Sequence, residues 1–103
     1  MPFEPVSHDP RLRKKVLLRD PLPGMKHISH IILRPGERVS VHSHPDAYEV
    51  FYCIRGEARM KVGAEEVSLL SGTCLVVEPG EEHAFVEIID EVELLYFLCT
   101  AGA

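Results

Sequence analysis

Histidines and a glutamate are closely spaced in residues 36–56, which read GERVSVHSHPDAYEVFYCIRG. His42 and His44 are two positions apart, so on an extended strand both imidazoles project from the same face. Glu49 follows a Pro-Asp turn signal, at the start of the next apolar run, where it can face the same point. His83 comes much later, just past a Pro-Gly turn signal. Three imidazoles and a carboxylate suit a divalent transition metal and poorly suit calcium or magnesium.

Pro and Gly residues divide the chain into pieces too short for helices of ordinary length. The pieces are apolar or alternate in polarity, as β-strands do. We predict eight strands, at residues 27–33, 38–42, 48–54, 58–62, 65–69, 73–77, 83–89 and 92–99, with a further candidate at 15–19. Short strands at such regular spacing predict an all-β fold, an antiparallel sandwich or barrel.

The chain has 103 residues, about the length of one domain. At this size one core can form but a large internal cavity cannot, so we expect a small substrate or ligand. Apolar residues make up 46% and charged residues 26%, which is a globular composition. The formal charge of −5 argues against nucleic acid as a partner.

Basic residues are concentrated near the N-terminus, at Arg11, Arg13, Lys14, Lys15 and Arg19. We interpret this cluster as a solvated surface segment and attach no function to it.

Three cysteines, Cys53, Cys74 and Cys99, lie in apolar strand-like runs without CxxC spacing. This pattern predicts buried thiols in a reducing compartment. No apolar run approaches the ~20 residues that a membrane span needs, and the N-terminal segment is charged rather than signal-like. We therefore predict a cytoplasmic protein that does not contact membranes.

The spacing of Gly36, His42, His44, Glu49 and Gly56 matches the first sequence signature of the cupin superfamily at every position. In a chain of this composition, the expected number of chance matches is on the order of 10⁻⁴. Coincidence is therefore a poor explanation.

A second signature of the same superfamily is recognisable from Gly72 to His83. It departs from the family pattern at Glu78, where a Pro is usual, and at Glu87, where an Asn is usual. The chain thus resembles a small single-domain cupin of the conserved-barrel type over residues 28–99.

This resemblance implies an antiparallel jelly-roll barrel at residues 25–100, preceded by an N-terminal segment, residues 1–24, that includes the candidate strand. It also implies one divalent transition metal, Fe, Mn, Ni or Zn, held at the open end of the barrel by His42, His44, Glu49 and His83. Four protein ligands on an octahedral metal leave two adjacent positions for water, dioxygen or a chelating substrate.

Strand alternation predicts which other side chains line the pocket. Phe85 and Glu87 share the parity of His83, Phe51 shares that of the motif glutamate, and Tyr96 faces inward from the last strand. We predict Phe51 and Phe85 as pocket walls, and Glu87 and Tyr96 as candidate catalytic groups that handle a proton. The alternatives are a rim carboxylate or salt bridge for Glu87 and a buried aromatic with one hydrogen bond for Tyr96.

Three further histidines, His8, His27 and His30, do not fit the ligand pattern. His8 lies among prolines and charges near the N-terminus, and the other two have opposite parity on one strand. We interpret all three as surface or core residues rather than ligands.

Two classes of function remain open at this stage. The first is a small metal-dependent enzyme, an oxygenase acting on a small carbonyl, enol or aromatic acid. The second is a non-catalytic module or sensor that binds a metal or a ligand. Metal-dependent isomerases, lyases and decarboxylases of the superfamily use the same ligands, so the ligand set does not select a reaction.

Residues 28–33 and 94–98 have apolar side chains at both odd and even positions, which predicts that protein surface covers both faces of these strands. A barrel of this length has little core of its own. We therefore predict a homodimer in which the partner subunit supplies the second cover.

Overall fold

The computed structural model describes residues 5–7, 9 and 12–101 of the chain. His8 and Arg11, both interpreted above, lie outside the described residues. The described part contains no helix, and hence none that could span a membrane. Its strands are β1 (Lys14–Leu22), β2 (Met25–Leu33), β3 (Val39–His42), β4 (Ala47–Val62), β5 (Glu65–Leu70), β6 (Cys74–Val77) and β7 (His83–Thr100).

The strands pair antiparallel throughout the described residues, in the order β1-β2-β7-β4-β5. β3 pairs with β7 and β6 pairs with β4, off this path. The predicted all-β antiparallel fold of jelly-roll type is confirmed. The backbone pairing does not close the sheet into a continuous barrel, because β1 and β5 at its ends do not pair with each other.

Two long strands, β4 and β7, each take part in two lobes of the sheet. Residues 47–55 of β4 pair with 93–100 of β7, and residues 57–62 pair with 83–90. The first lobe contains residues 47–55 and 93–100 together with β1, β2 and β6. The second lobe contains residues 57–62 and 83–90 together with β3 and β5. Buried apolar side chains from both lobes form one core, which includes Phe51, Cys53, Met60, Leu69, Phe85, Ile88 and Leu94.

Gly56 allows β4 to bend between the lobes. Its φ of 91° lies in the left-handed region, and a Cβ at this position would lie 2.1 Å from the carbonyl oxygen of Glu91. Only glycine permits so close an approach. The predicted breaks at residues 55–57 and 90–91 are wrong, because pairing continues on both sides of the bend and each predicted pair of strands is one bent strand.

The candidate strand at residues 15–19 is present as β1 and pairs with β2. Val16 lies opposite Ser29 whereas Leu18 lies opposite Ile28, so β1 has one extra residue between these two pairs. Such a bulge reverses the faces to which the side chains after it project.

The three cysteines are free thiols in different environments. Cys53 is buried, and burial raises the pKa of its thiol, which donates a hydrogen bond to the Arg55 carbonyl. Cys99 is partly buried, whereas Cys74 is exposed opposite the exposed side chain of Tyr52. The prediction of buried thiols therefore holds for Cys53 and is wrong for Cys74, because β6 directs Cys74 to the outer face.

Candidate metal centre

The pairing of β3 with β7 places two imidazoles side by side. His42 ends β3 directly opposite His83, which begins β7, and their ring centroids are 4.1 Å apart. His44 follows just after β3, with its ring centroid 5.4 Å from that of His42 and 5.6 Å from that of His83. Its carbonyl accepts a hydrogen bond from the amide of Gly80, which ties this segment to the turn at Pro79 and Gly80.

Glu49 reaches the same point from the first lobe. It lies on β4 between Leu98 and Val77 of the neighbouring strands, and it is 5% exposed. Its Oε1 lies 2.8 Å from Nε2 of His83 and 3.5 Å from Nε2 of His44. Because β3 and the start of β7 belong to the second lobe, the four side chains meet between the inner faces of the two lobes.

We call His42, His44, Glu49 and His83 the metal cluster. Each contributes one nitrogen or oxygen atom, and these atoms lie within 4.8 Å of one another. Nδ1 of His42 donates to the Ser40 carbonyl at 2.9 Å, and Nδ1 of His83 donates to the Glu81 carbonyl at 3.1 Å. A backbone carbonyl that holds one ring nitrogen, and so leaves the other directed to a shared centre, is typical of metal-ligating histidines.

His44 supplies the observation that tests whether a metal fits. Its Nε2 is buried and has no hydrogen-bond partner among the described residues. A buried polar atom without a partner costs about 1–3 kcal/mol, and binding to a metal removes that cost. The residues present therefore fit a divalent transition metal, and the four residues named from the sequence form one set that can hold it.

Opposing effects act on His83 in this cluster. Burial lowers the pKa of its imidazole, but hydrogen bonds to the Glu49 carboxylate and the Glu81 carbonyl raise it, and the net pKa is raised.

A cavity of about 380 Å³ opens beside the metal cluster. Phe51 and Phe85 line it, with their rings in edge contact at 5.7 Å. Tyr96 lines it as well and stacks on Phe51 at a centroid distance of 5.8 Å. These three side chains thus lie on the faces that strand alternation predicts, and the volume suits a small molecule.

The family model for the cupin domain matches residues 29–99 of the chain. This chain belongs to the cupin family. The fold agrees, since a cupin protein from Bacteroides fragilis is similar with a TM-score of 0.80, 24% identity and coverage of 98% of this chain and 86% of that chain. The protein TT1209 from Thermus thermophilus is similar with a TM-score of 0.76, 23% identity and coverage of 97% and 98% respectively.

Two curated relatives of the cupin come from Streptomyces. The tetracenomycin polyketide synthase protein TcmJ of Streptomyces glaucescens is 39% identical over 56 residues, which are 54% of this chain and 38% of that protein. The polyketide synthase CurC of Streptomyces cyaneus is 32% identical over 66 residues, which are 64% of this chain and 43% of that protein. The cupin therefore spans less than half the length of either relative.

Glu87 does not reach the cavity of this cupin. It is exposed opposite Arg59, whereas Phe85 is buried opposite Met60, so β7 has one extra residue, Val86, between them. This bulge reverses the alternation that the prediction relied on. The prediction that Glu87 shares the pocket face of Phe85 is therefore wrong.

Four polar residues that we did not predict in the pocket also line the cavity: Lys14, Arg19, His27 and Ser29. His27 is not part of the metal cluster, as expected, but its ring contacts that of Tyr96 edge-on at 5.7 Å, and its Nδ1 is 2.8 Å from the Ser29 hydroxyl oxygen. Burial lowers the pKa of His27, Glu49 opposes this, and the positive charges of Arg19 and Lys14 lower it further. The sequence signal that could have placed His27 in the pocket was its parity with Ile31, which also lines the cavity.

His30 lies on the opposite face of β2, where it is buried, and its Nε2 is 2.8 Å from Oε2 of Glu93. Oε1 of Glu93 accepts a hydrogen bond from Arg55 at 2.8 Å, and Arg55 also binds Glu91 at 2.8 Å. Arg34 in turn donates to Glu91 at 3.0 Å. We call these five residues the bend network, since they surround the bend at Gly56.

Proposed function

We propose that this cupin is a metal-dependent enzyme of the oxygenase type that acts on a small chelating substrate. The observation that carries the proposal is the position of the metal cluster beside the cavity. Three of its members, His42, His44 and Glu49, line the cavity, so a molecule in the cavity has direct access to them. A solely structural metal site would be closed off by protein ligands.

A divalent transition metal bound in the cluster supplies Lewis-acid and one-electron chemistry. Glu49 is the one carboxylate of the cluster, so three neutral imidazoles and a single negative charge leave a divalent ion with a net positive charge. In a water-poor cavity this charge favours an anionic enolate or carboxylate.

Aromatic side chains shape the rest of the site. Phe51 and Phe85 form apolar walls that exclude water from a bound substrate. Tyr96, which stacks on Phe51, lines the same cavity and is the candidate group for moving a proton to or from the substrate. Glu87 has no such role in the proposal, because its side chain is outside the cavity.

The names of the two Streptomyces relatives support a carbonyl or enol substrate. Both are named as polyketide synthase proteins. Polyketide chains carry carbonyl and enol oxygens on alternate carbon atoms, and such 1,3-related pairs of oxygens chelate divalent metals. The proposed substrate is therefore a small molecule with two adjacent oxygen donors.

The metal part of the proposal is tested with a matched pair of variants. Glu49 and Glu93 are both carboxylates that lie 2.8 Å from a buried histidine, but only Glu49 is in the metal cluster. We expect Glu49→Gln to lose at least 90% of the metal measured by elemental analysis after purification without chelator, which corresponds to a roughly tenfold or larger loss of affinity. Glu93→Gln is expected to retain the wild-type metal content. Equal metal content in the two variants would contradict the assignment.

The reaction is tested by oxygen uptake of iron- and manganese-loaded protein with diketones, enols, thiols and aromatic acids. We expect at least one compound to support uptake above that of His83→Ala. If none does, while one compound binds the metal-loaded protein, the non-catalytic binding module replaces the enzyme. Conversion of a compound without oxygen uptake would instead indicate an isomerase, lyase or decarboxylase.

A further inference from the structure

Two cations of β1, Lys14 and Arg19, line the same cavity as the metal cluster. They belong to the basic segment that was interpreted above as solvated surface without a function. Their position in the pocket follows from the bulge in β1. Lys14 lies opposite Ile31 and Arg19 lies opposite His27, and both of these β2 residues line the cavity.

Without that bulge the two cations would project from opposite faces of β1, because they are an odd number of positions apart. The extra residue between Val16 and Leu18 brings Arg19 onto the face of Lys14. Lys15 remains on the other face, opposite His30. A bulge that re-aims a side chain next to an active site is a recurrent device in β proteins.

Neither cation is neutralised within the described residues, where Lys14 and Arg19 have no ion pair and no side-chain hydrogen bond. Two nearby cations do have partners, since Arg13 pairs with Glu37 and Lys26 pairs with Asp46 at 3.6 Å. The only carboxylate that lines the described cavity is Glu49, which is hydrogen-bonded to His83. In a chain with a formal charge of −5, this leaves a local excess of positive charge facing the pocket.

We propose that Lys14 and Arg19 bind a carboxylate at one end of the substrate, while the other end chelates the metal that the metal cluster would hold. This inference rests on the proposed function and narrows its substrate class to small acids with a second anionic group. The wall between the two ends is apolar, through Val16, Ile31 and Phe51. It suits a short carbon chain between the chelating oxygens and the carboxylate.

Electrostatics favours this arrangement. The exposed side chains of Lys14 and Arg19 line the cavity, so these two cations attract anions toward it. Both cations lie close enough to His27 to lower its pKa, and His27 lines the same cavity as His42, His44 and Glu49. Lysine and arginine donate charge-assisted hydrogen bonds to carboxylates, and these are stronger than neutral ones.

The test compares two acids that differ only at the far end. 2-Oxoglutarate has a chelating 2-oxo acid group and a second carboxylate, whereas 2-oxopentanoate has a methyl group in place of that carboxylate. Binding of each acid to nickel-loaded protein is measured by calorimetry, for wild type, Lys14→Gln, Arg19→Gln, the double variant and the control Lys15→Gln. Metal content and circular dichroism are recorded on the same samples.

We expect wild type and Lys15→Gln to bind 2-oxoglutarate about tenfold or more tightly than 2-oxopentanoate. Each single pocket variant should weaken 2-oxoglutarate binding about three- to tenfold and leave 2-oxopentanoate unchanged, and the double variant should lose the preference.

The inference is overturned if nickel-loaded wild type shows no preference, if neither acid binds, or if Lys15→Gln weakens binding as much as Arg19→Gln. A wild type that takes up no nickel contradicts the proposed function instead. In that case, a preference for the diacid that disappears in the double variant would still support the role of the two cations.

Discussion

Two histidine–glutamate pairs in this cupin have the same separation and different surroundings. His83 and Glu49 are 2.8 Å apart between the two lobes, and His30 and Glu93 are 2.8 Å apart beside the bend. Glu93 also binds Arg55, so nitrogen donors bind both oxygens of this carboxylate. Glu49 instead faces three imidazoles, and Nε2 of one of them has no hydrogen-bond partner among the described residues.

The difference shows that a buried histidine–carboxylate contact does not by itself indicate a functional site. In the bend network, the side chains bind one another, which stabilises the fold. Arg55 binds Glu91 and Glu93, and these two carboxylates also bind Arg34 and His30. In the metal cluster, the donor atoms converge beside a cavity, where an external group can bind them. The number of donor atoms that converge, and their access to a cavity, separate the two cases.

If the bend serves stability alone, the largest effect on folding is expected there, at Gly56. In Gly56→Ala the added Cβ would lie 2.1 Å from the Glu91 carbonyl oxygen and 2.7 Å from Cα of Val92, both backbone atoms. We expect the variant to lose about 4 kcal/mol or more of its free energy of unfolding in urea, or not to fold.

Gly72→Ala is the matched control for this substitution. Its φ of 87° is nearly that of Gly56, but no atom lies within 4 Å of an added Cβ. Only the conformational cost of about 1–2 kcal/mol is therefore expected. Equal losses in the two variants would mean that close approach at the bend contributes nothing.

The bends and bulges also mark where prediction from sequence ended. The metal cluster could be predicted because His42, His44 and Glu49 are close in sequence, around the short connection from β3 to β4, whose length leaves little freedom. Glu87 was misplaced because it follows a bulge at Val86, and no residue type indicates the extra residue that a bulge adds. The bulge after Val16, which places Arg19 beside the cavity, was not predicted either. Strand alternation is reliable only up to the first such irregularity.

The continuity of β4 and β7 was missed for a related physical reason. Glycine commonly ends a strand, so Gly56 was interpreted as a break between two strands. Whether such a glycine ends or bends a strand depends on hydrogen bonds made by residues far away in sequence, here residues 83–100 of β7. Those long-range partners are not encoded in any local pattern.

The second prediction sharpens the comparison by adding metal. A divalent metal at a concentration of 100 Kd is expected to raise the free energy of unfolding of wild type by about 2.7 kcal/mol. His42→Ala should lose most of this gain. Because the His42 side chain is exposed, this variant should match wild type within about 0.5 kcal/mol in the presence of chelator.

The measurement is urea unfolding of each protein with chelator and with metal. Glu93→Gln is expected to keep the full gain, because the bend network does not contribute to the metal cluster. The reverse result, with the gain lost in Glu93→Gln and kept in His42→Ala, would mean that the metal binds at the bend network and not at the metal cluster.

A third, smaller effect is expected from the pH dependence of the bend network. Hydrogen bonding to His30, and then to Arg55, lowers the pKa of Glu93, although burial opposes this. Since the pKa is lower in the folded than in the unfolded state, the ionised carboxylate contributes stability above its unfolded value of 4.5. That contribution is lost as the pH falls through the folded pKa.

Unfolding of wild type and Glu93→Gln is therefore compared at pH 7 and pH 3. We expect Glu93→Gln to be less stable by about 1–2 kcal/mol at pH 7. The difference should shrink as the pH is lowered to 3, because protonation of the wild-type carboxyl removes this contribution. A difference that grows on acidification would show that the carboxylate does not stabilise the fold through its charge.

The smallest effect on the folding of a subunit is expected on the outer face of the first lobe, where the homodimer remains a prediction. Exposed Tyr48, Tyr52 and Val76 lie on this face, and Ile28 and Phe97 are only half-buried opposite each other. Contiguous exposed apolar surface of this kind marks interaction sites.

Tyr52→Asp tests the homodimer at this face. The substitution removes an exposed side chain from outside the core, so it should change the stability of a folded subunit by about 0.5 kcal/mol or less. Light scattering at micromolar concentration is expected to give twice the mass of 11.6 kDa for wild type and the single mass for Tyr52→Asp. A wild-type mass of 11.6 kDa would mean that this apolar face has no second copy against it, and that a protein with so small a core folds without one.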